Sequence, residues 1–270
     1  MAETMRGLER GLMVLRTLQG ASALSLADLH RSTTLPKPSL LRVLATLQAH
    51  GMVSRSVGDG LYRYRSSGAP RVPPRHQRLA EAADPHLVRL QEKVLWPSDL
   101  AVRRGRQMEI IETNRGLSGL QLARDRLGDR VEMSGTAMGR AYLAHCPAPE
   151  RERLIEELRR HPAERGPMGP LDVPRLEAAI RQARTRGYAV RDPQQSGWQR
   201  LGRGDDGLDA IAVPILAGTG EGASVLGCLN LLWPRRFRLV GEIARLHLAD
   251  LQATARAIAE DARRRHPDPA

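Results

Sequence analysis

Leucines near the start of the chain recur at three- and four-residue steps, which is the period of an amphipathic helix. Gly20 ends the first predicted helix, whose apolar face consists of Leu8, Leu12, Leu15 and Leu18. Ser25 is a suitable N-cap for a second helix over residues 26–32. A third helix begins at Lys37, with Pro38 in its first turn, and ends before Gly51. Its predicted buried stripe consists of Leu40, Leu41, Leu44 and Leu47.

Two short strands are predicted after the third helix, over residues 52–55 and 61–64. They flank the turn Gly58-Asp59-Gly60, which is typical of a β-hairpin. Three helices followed by a hairpin predict a winged helix-turn-helix domain over residues 6–65.

The rest of the chain alternates between strand and helix patterns. Residues 66–80 are rich in Ser, Gly, Pro and Arg and are predicted to form a linker. A helix over 84–94 is expected to have Pro85 at its start, and further helices are predicted over 134–145, 149–160, 173–186 and 240–264. Strands are predicted over 99–103, 108–113, 188–191, 210–216 and 224–233, the last two pairing as a hairpin around 218–222. The fold class is therefore α+β, with a mixed α/β domain of the GAF or PAS type over residues 81–265.

Positive charge is concentrated in the predicted winged helix. The 270 residues carry a formal charge of +12, and residues 1–75 alone hold eleven basic and four acidic side chains. Such a density suits a phosphate backbone, although a solvated basic surface is an alternative when charge is considered alone. The arrangement favours DNA, because recognition helices present N-terminal residues to the major groove. The predicted DNA-binding residues are Lys37, Pro38, Ser39 and Arg42 on the third helix and Arg55, Arg63 and Arg65 on the wing.

Composition and motifs argue against several other classes of protein. Segments of about 20 apolar residues and signal-peptide features are missing from the sequence, and two cysteines fit a reducing compartment, so a cytoplasmic location is expected. Catalytic, nucleotide-binding and metal-binding signatures are also missing, so the chain is predicted to be no enzyme and to need no metal or cofactor. The glycine-rich segment 218–222 is interpreted as a hairpin turn, and Cys228 as a small core residue.

Asn230 stands in an apolar strand and needs a hydrogen-bond partner if it is buried. A small ligand, the backbone and water all remain open as that partner. An arginine near the predicted helix at 134 could pair with a carboxylate ligand, and the candidates are Arg115, Arg124, Arg126 and Arg130. Trp96 and Trp198 could form aromatic walls of a ligand site or pack in the core.

Several ordered segments resemble the IclR family of bacterial transcriptional regulators. They are Leu-Ser-Leu-Ala-Asp-Leu at 24–29, Leu-Pro-Lys-Pro-Ser-Leu-Leu-Arg-Val-Leu at 35–44, Gly-Thr-Ala-Met-Gly-Arg-Ala at 135–141 and Ala-Ile-Ala-Val-Pro-Ile at 210–215. Within that family, Leu-Trp-Pro-Ser-Asp-Leu-Ala at 95–101 is similar to MhpR-type activators of aromatic-acid catabolism. Pro38 departs from the serine that is usual in the family, and Ser134-Gly135 from histidine-alanine.

The resemblance implies a winged-helix dimer or tetramer that binds operator DNA and a small organic acid, expected to be an aromatic carboxylate. Effector-binding positions carried over from the family are Ala123, Val131, Ala137, Met138, Asp209, Ile211, Asn230 and Leu232. One alternative function is a winged-helix regulator whose C-terminal domain only oligomerises. Another is an enzyme with an unusual site behind a DNA-binding head, which would need a buried nucleophile and base.

Overall fold

The fold consists of an N-terminal helical head and a larger C-terminal α/β domain. A computed structural model describes residues 5–21, 23–55, 60–64, 74–118, 126–161, 170–193, 207–218 and 223–265. Among the described helices, none combines the length and apolar character needed to cross a lipid bilayer.

The head has the predicted winged helix-turn-helix arrangement. Its helices and strands are α1 (Arg6–Gln19), α2 (Leu26–Thr33), α3 (Lys37–Ala49), β1 (Val53–Arg55) and β2 (Tyr62–Tyr64). Ser25 caps α2 as expected, because the amide of Asp28 donates to its hydroxyl and its own amide donates to the Asp28 carboxylate. The two strands pair antiparallel, with Ser54 opposite Arg63.

The core of the head covers fewer of the predicted leucines than expected. Val14 and Leu18 of α1 are fully buried, but Leu8 and Leu12 are 60% and 45% exposed. The first half of α1 therefore extends beyond the core that α2 and α3 form. Leu41 is also exposed, because it lies about 100° around the helix from Leu40 and thus outside the buried stripe. The predicted burial of these three leucines was wrong.

The C-terminal domain is built on a six-stranded antiparallel sheet with the order β5-β4-β3-β8-β7-β6. The strands are β3 (Asp99–Arg104), β4 (Gln107–Thr113), β5 (Arg130–Glu132), β6 (Ala189–Val190), β7 (Leu208–Ala217) and β8 (Ser224–Pro234). The helices are α4 (Pro74–Lys93), α5 (Ala137–His145), α6 (Ala148–Arg160), α7 (Val173–Arg186) and α8 (Val240–Arg265). β7 and β8 pair antiparallel, as the sequence predicted.

Helices cover both faces of this sheet, and each face has its own core. Ala210 and Ala212 of β7 pack in the core with α5, α6 and α7, and we call this side the α5 face. Ile211 and Val213 point the other way, into the core with α4 and α8, which we call the α8 face. Side chains alternate between the faces because the strand period is two residues.

Helix α4 begins at Pro74, well before the predicted start at residue 84, so the end of the predicted linker is helical. Pro85 lies inside this helix and not in its first turn. Proline in a helix interior removes one backbone hydrogen bond. Burial of Leu79, Ala83 and Leu87 against the α8 face offsets that loss, which local sequence signals could not show.

Cys146 and Cys228 are free and buried in the core of the α5 face. Burial raises the pKa of Cys146 to about 11 and also raises the pKa of Cys228. The interpretation of Cys228 as a core residue agrees with this position.

Candidate nucleic-acid interface and effector site

The predicted recognition residues lie at the N-terminal end of α3. Lys37, Pro38 and Arg42 are exposed there, and Ser39 is half-buried. Leu40 and Leu44 anchor the opposite side of the helix in the head core. Acidic residues are missing from α3, so its exposed side presents uncompensated positive charge, as phosphate contacts require.

The three wing arginines have different positions. Arg55 is exposed, donates from Nε to the carbonyl oxygen of Gly60 at 3.1 Å and lies 5.4 Å above the centre of the Tyr62 ring. Arg63 is only 8% exposed, so it does not face the solvent with Arg55. Arg65 lies outside the described residues. Among the described residues of the wing, Arg55 is therefore the predicted DNA-binding arginine whose side chain is exposed.

The structure brings five of the predicted effector residues together on the α5 face. Three of them lie on the strands β5 and β8, and the other two begin α5. All are buried, and they are Val131, Ala137, Met138, Asn230 and Leu232. Ala123 lies outside the described residues. The five residues thus surround the place where α5 starts above the sheet.

Asp209 and Ile211 do not join this group. Ile211 is buried on the α8 face, and the carboxylate of Asp209 pairs with Arg235 at 3.0 Å. The β7–β8 register instead places Ala212 opposite Asn230 and Ala210 opposite Leu232. Because successive residues of a strand point to opposite faces, the β7 side chains on the α5 face are those of Ala210 and Ala212. The structure therefore does not place Asp209 and Ile211 beside Asn230 and Leu232, the predicted effector residues of β8.

Asn230 is part of a buried polar cluster that the sequence did not reveal. Its Oδ1 accepts a hydrogen bond from the backbone amide of Asp99 at 2.6 Å, so its partner includes the backbone. The Asp99 carboxylate accepts from Nε of Arg115 at 2.8 Å, from Nη2 of Arg115 at 2.6 Å and from the hydroxyl of Thr113 at 2.8 Å. Asp99, Thr113, Arg115 and Asn230 are each at most 9% exposed, and we call them the polar cluster.

The charges of the polar cluster are matched within the protein. Burial alone would raise the pKa of Asp99, but the Arg115 guanidinium, together with Arg126 and the Thr113 hydroxyl, outweighs it and holds that pKa below its ordinary value. The guanidinium of Arg115 is thus already paired with a carboxylate of the protein itself, that of Asp99. Of the other candidate arginines, Arg126 pairs with Asp129 at 2.8 Å, Arg130 is partly exposed near Glu109, and Arg124 lies outside the described residues.

The structure describes one of the two candidate tryptophans, Trp96 and Trp198. Trp96 is partly buried against the core of the α8 face, so it packs on the face of the sheet opposite Val131 and Leu232. Trp198 lies outside the described residues.

The start of α5 is held tightly against the sheet. The Glu132 carboxylate accepts hydrogen bonds from the amides of Ser134 and Gly135, so these residues form a turn and not the first helical turn that the sequence predicted. Thr136 caps the helix by accepting from the amide of Gly139 at 3.1 Å. Arg140, nearly buried, donates to the carbonyl oxygen of Ser134 and pairs with Asp192. This end of α5 is therefore preorganised.

A winged head with a basic recognition helix, joined to a separate α/β domain, defines the chain as a DNA-binding transcription regulator. Two family profiles cover it almost from end to end: "IclR helix-turn-helix domain" matches residues 7–56, and "Bacterial transcriptional regulator IclR C-terminal" matches residues 75–260. The chain belongs to the IclR family. It is accordingly a regulator with a DNA-binding domain and an effector-binding domain, and not an enzyme.

Relatives and solved structures agree with this assignment. The HTH-type transcriptional regulator BhcR of Paracoccus denitrificans is 27% identical over 272 residues, covering 96% of this chain and 85% of the relative. XynR of Escherichia coli is 25% identical, covering 78% and 80%. The Thermotoga maritima IclR structure is similar with a TM-score of 0.57 at 19% identity, covering 96% and 99%. An IclR homolog of Microbacterium hydrocarbonoxydans, complexed with 4-hydroxybenzoate, has a TM-score of 0.53 at 23% identity, covering 96% and 99%.

Proposed function

We propose that this regulator binds a pseudo-palindromic operator in the cytoplasm as a dimer or tetramer, and that a small aromatic carboxylate controls its affinity for DNA. Each half-site would receive α3 in the major groove and Arg55 on the adjacent backbone, because symmetric dimers read two half-sites. The ligand would favour one of two arrangements of the oligomer through different affinities for them.

One observation carries the ligand proposal: the α5 face combines small side chains, a polar amide and apolar walls at one place. Ala210 and Ala212 place small side chains opposite Leu232 and Asn230, and Met138 and Leu232 supply apolar surface. Ligand sites have this composition of apolar lining with a few polar groups. The N-terminus of α5 is a favourable position for a carboxylate. The 4-hydroxybenzoate complex of the Microbacterium homolog supports the choice of an aromatic acid.

Arg42→Ala is expected to weaken operator binding by about 1–3 kcal/mol, or roughly 5- to 150-fold, if the guanidinium contacts a base. The measurement is fluorescence anisotropy on a duplex that the wild-type protein selects from a random pool. Arg181→Ala is the matched control, because Arg181 is exposed on α7 of the C-terminal domain. Equal affinities for the Arg42 and Arg181 variants would remove Arg42 from the DNA interface.

A pair of adjacent substitutions on β7 tests the ligand site. Ala212→Val adds two methyl groups to the α5 face and is expected to weaken ligand binding by roughly ten-fold or more, whereas Ile211→Val alters the α8 face and should leave it unchanged. The probes are benzoate, 4-hydroxybenzoate and 3-(3-hydroxyphenyl)propanoate, first in a thermal-shift screen and then by calorimetry. Binding that responds equally to both substitutions would contradict the assigned face. A shift with aliphatic acids alone would contradict the aromatic class.

A further inference from the structure

Arg63 occupies an unexpected position for a residue of a DNA-binding wing. Its strand neighbours Tyr62 and Tyr64 pack into the head core, so alternation directs Arg63 to the opposite, outer face of the hairpin. An outer-face arginine of an isolated head would be solvated. Arg63 is nevertheless only 8% exposed, and the hydroxyl oxygen of Ser54 beside it on β1 is also inaccessible to solvent.

The C-terminal domain covers this outer face. Arg63 lines a cleft together with Asp84 and Leu87 of α4, with Thr113 at the end of β4, and with Asn114 and Gly116 after that strand. At Gly116, Nη2 of Arg63 lies 3.6 Å from the position a Cβ atom would take. The side chain of Arg63 thus lies against the C-terminal domain.

The segment that lies against Arg63 also includes a residue of the polar cluster. Gly116 belongs to a short 3₁₀ turn (Arg115–Leu117), whose first residue makes the double hydrogen bond to Asp99. Asn114, just before the turn, accepts from the amide of Ser98 at 2.6 Å and donates to the carbonyl oxygen of Leu87 at 3.0 Å. One short segment therefore contacts Arg63 on one side and holds Asp99, the neighbour of Asn230, on the other.

We infer that Arg63 is a docking residue between the head and the C-terminal domain, and that the 3₁₀ turn transmits the state of the effector site to the wing. The transmission rests on the proposed function, whereas the docking does not. A ligand that displaces Asn230 or Asp99 moves Arg115 and with it the surface on which Arg63 rests. Wing arginines thus divide by role: Arg55 contacts DNA and Arg63 sets the position of the head.

Hydrogen exchange tests the docking without any ligand. Arg63→Ala is expected to raise amide exchange by roughly ten-fold or more in peptides that cover residues 60–64 and 113–118, because the contact of the Arg63 side chain across the cleft is lost. Gly116→Leu changes the C-terminal side of the same cleft and should also raise amide exchange at residues 60–64. Arg55→Ala is the matched control and should leave 113–118 unchanged. Unchanged exchange at 113–118 in the Arg63 variant would overturn the docking.

DNA binding tests the transmission. On the selected duplex, Arg55→Ala should lower affinity but keep the ratio of affinities measured with and without 4-hydroxybenzoate. Arg63→Ala should bring that ratio close to one while still binding the acid in calorimetry. An unchanged ratio in the Arg63 variant would overturn transmission through this residue. If 4-hydroxybenzoate leaves the wild-type affinity unchanged, the proposed aromatic control fails, and the exchange experiment decides the docking independently.

Discussion

Replacing Arg115 with methionine is expected to lower the free energy of unfolding by about 3–5 kcal/mol at pH 7, because it leaves the Asp99 carboxylate buried without its cation. Asp99 is 1% exposed and Arg115 is 4% exposed, so water cannot replace the lost guanidinium. Chemical denaturation monitored by circular dichroism measures the loss. The double variant with Asp99→Asn should recover much of it, because the uncompensated charge is then absent.

The loss should also depend on pH, with a predictable sign. The folded-state pKa of Asp99 is lowered in the wild-type protein, so the pair contributes its full stability above the ordinary carboxyl pKa of 3.8 and loses it as the pH falls through the lower folded value. Without Arg115, burial instead raises the pKa of Asp99. The difference in stability between wild type and variant should therefore shrink as the pH falls from 7 toward 4.

Arg235→Met provides the matched control for Arg115. Arg235 also pairs with an aspartate in the same domain, but Arg235 is 37% exposed and its partner Asp209 is 18% exposed. We expect a loss of no more than about 1 kcal/mol from this partly solvated pair. Similar losses in the two variants would show that burial does not set the importance of the Asp99–Arg115 pair.

Gly139→Ala is expected to destabilise the C-terminal domain by about 3 kcal/mol, at the upper end of the range for overpacking. A Cβ atom at this position would overlap the backbone of Met133, including its carbonyl oxygen. Backbone atoms cannot move aside as a flexible side chain can, so the turn at 133–135 or α5 itself must shift. Because that shift moves Ala137 and Met138, the ligand affinity should fall together with the melting temperature.

Gly241→Ala in α8 separates this clash from the general effect of replacing a helical glycine. The space around Gly241 is open within 4 Å, and alanine has the higher helix propensity, so this variant should be neutral or slightly more stable. A melting temperature for the Gly139 variant that matches the Gly241 variant would contradict the close contact with Met133.

Local patterns predicted the head well, because its helices are short, capped and amphipathic. Ser25 and Gly51 mark boundaries that the structure reproduces within a residue or two. The helical period wrongly predicted that Leu8 and Leu41 are buried, because burial there depends on how many neighbouring elements pack against the helix. It failed again at Pro85, because the packing of α4 on the sheet overrides a local helix-breaking signal.

The candidate effector site was harder to predict, because it depends on register and on contacts that are distant in sequence. On β7 an offset of one residue separates Asp209 and Ile211 from the face that bears Asn230. Asp99 and Arg115 are sixteen residues apart and meet beside a residue of β8, so neither pattern nor spacing identified the polar cluster. The position of Asp99 at the start of an apolar strand could have indicated the polar cluster, because a buried charge there requires a partner.

The two buried thiols allow opening of the C-terminal domain to be detected by chemical labelling. Cys146 and Cys228 lie in the core under α5, and their raised pKa values keep them protonated at neutral pH, so alkylating reagents reach a reactive thiolate when this core opens. A compound that binds the closed domain lowers the population of the open state and slows labelling in proportion. Labelling rates measured by mass spectrometry can therefore rank candidate effectors on the unmodified protein, before its operator is known.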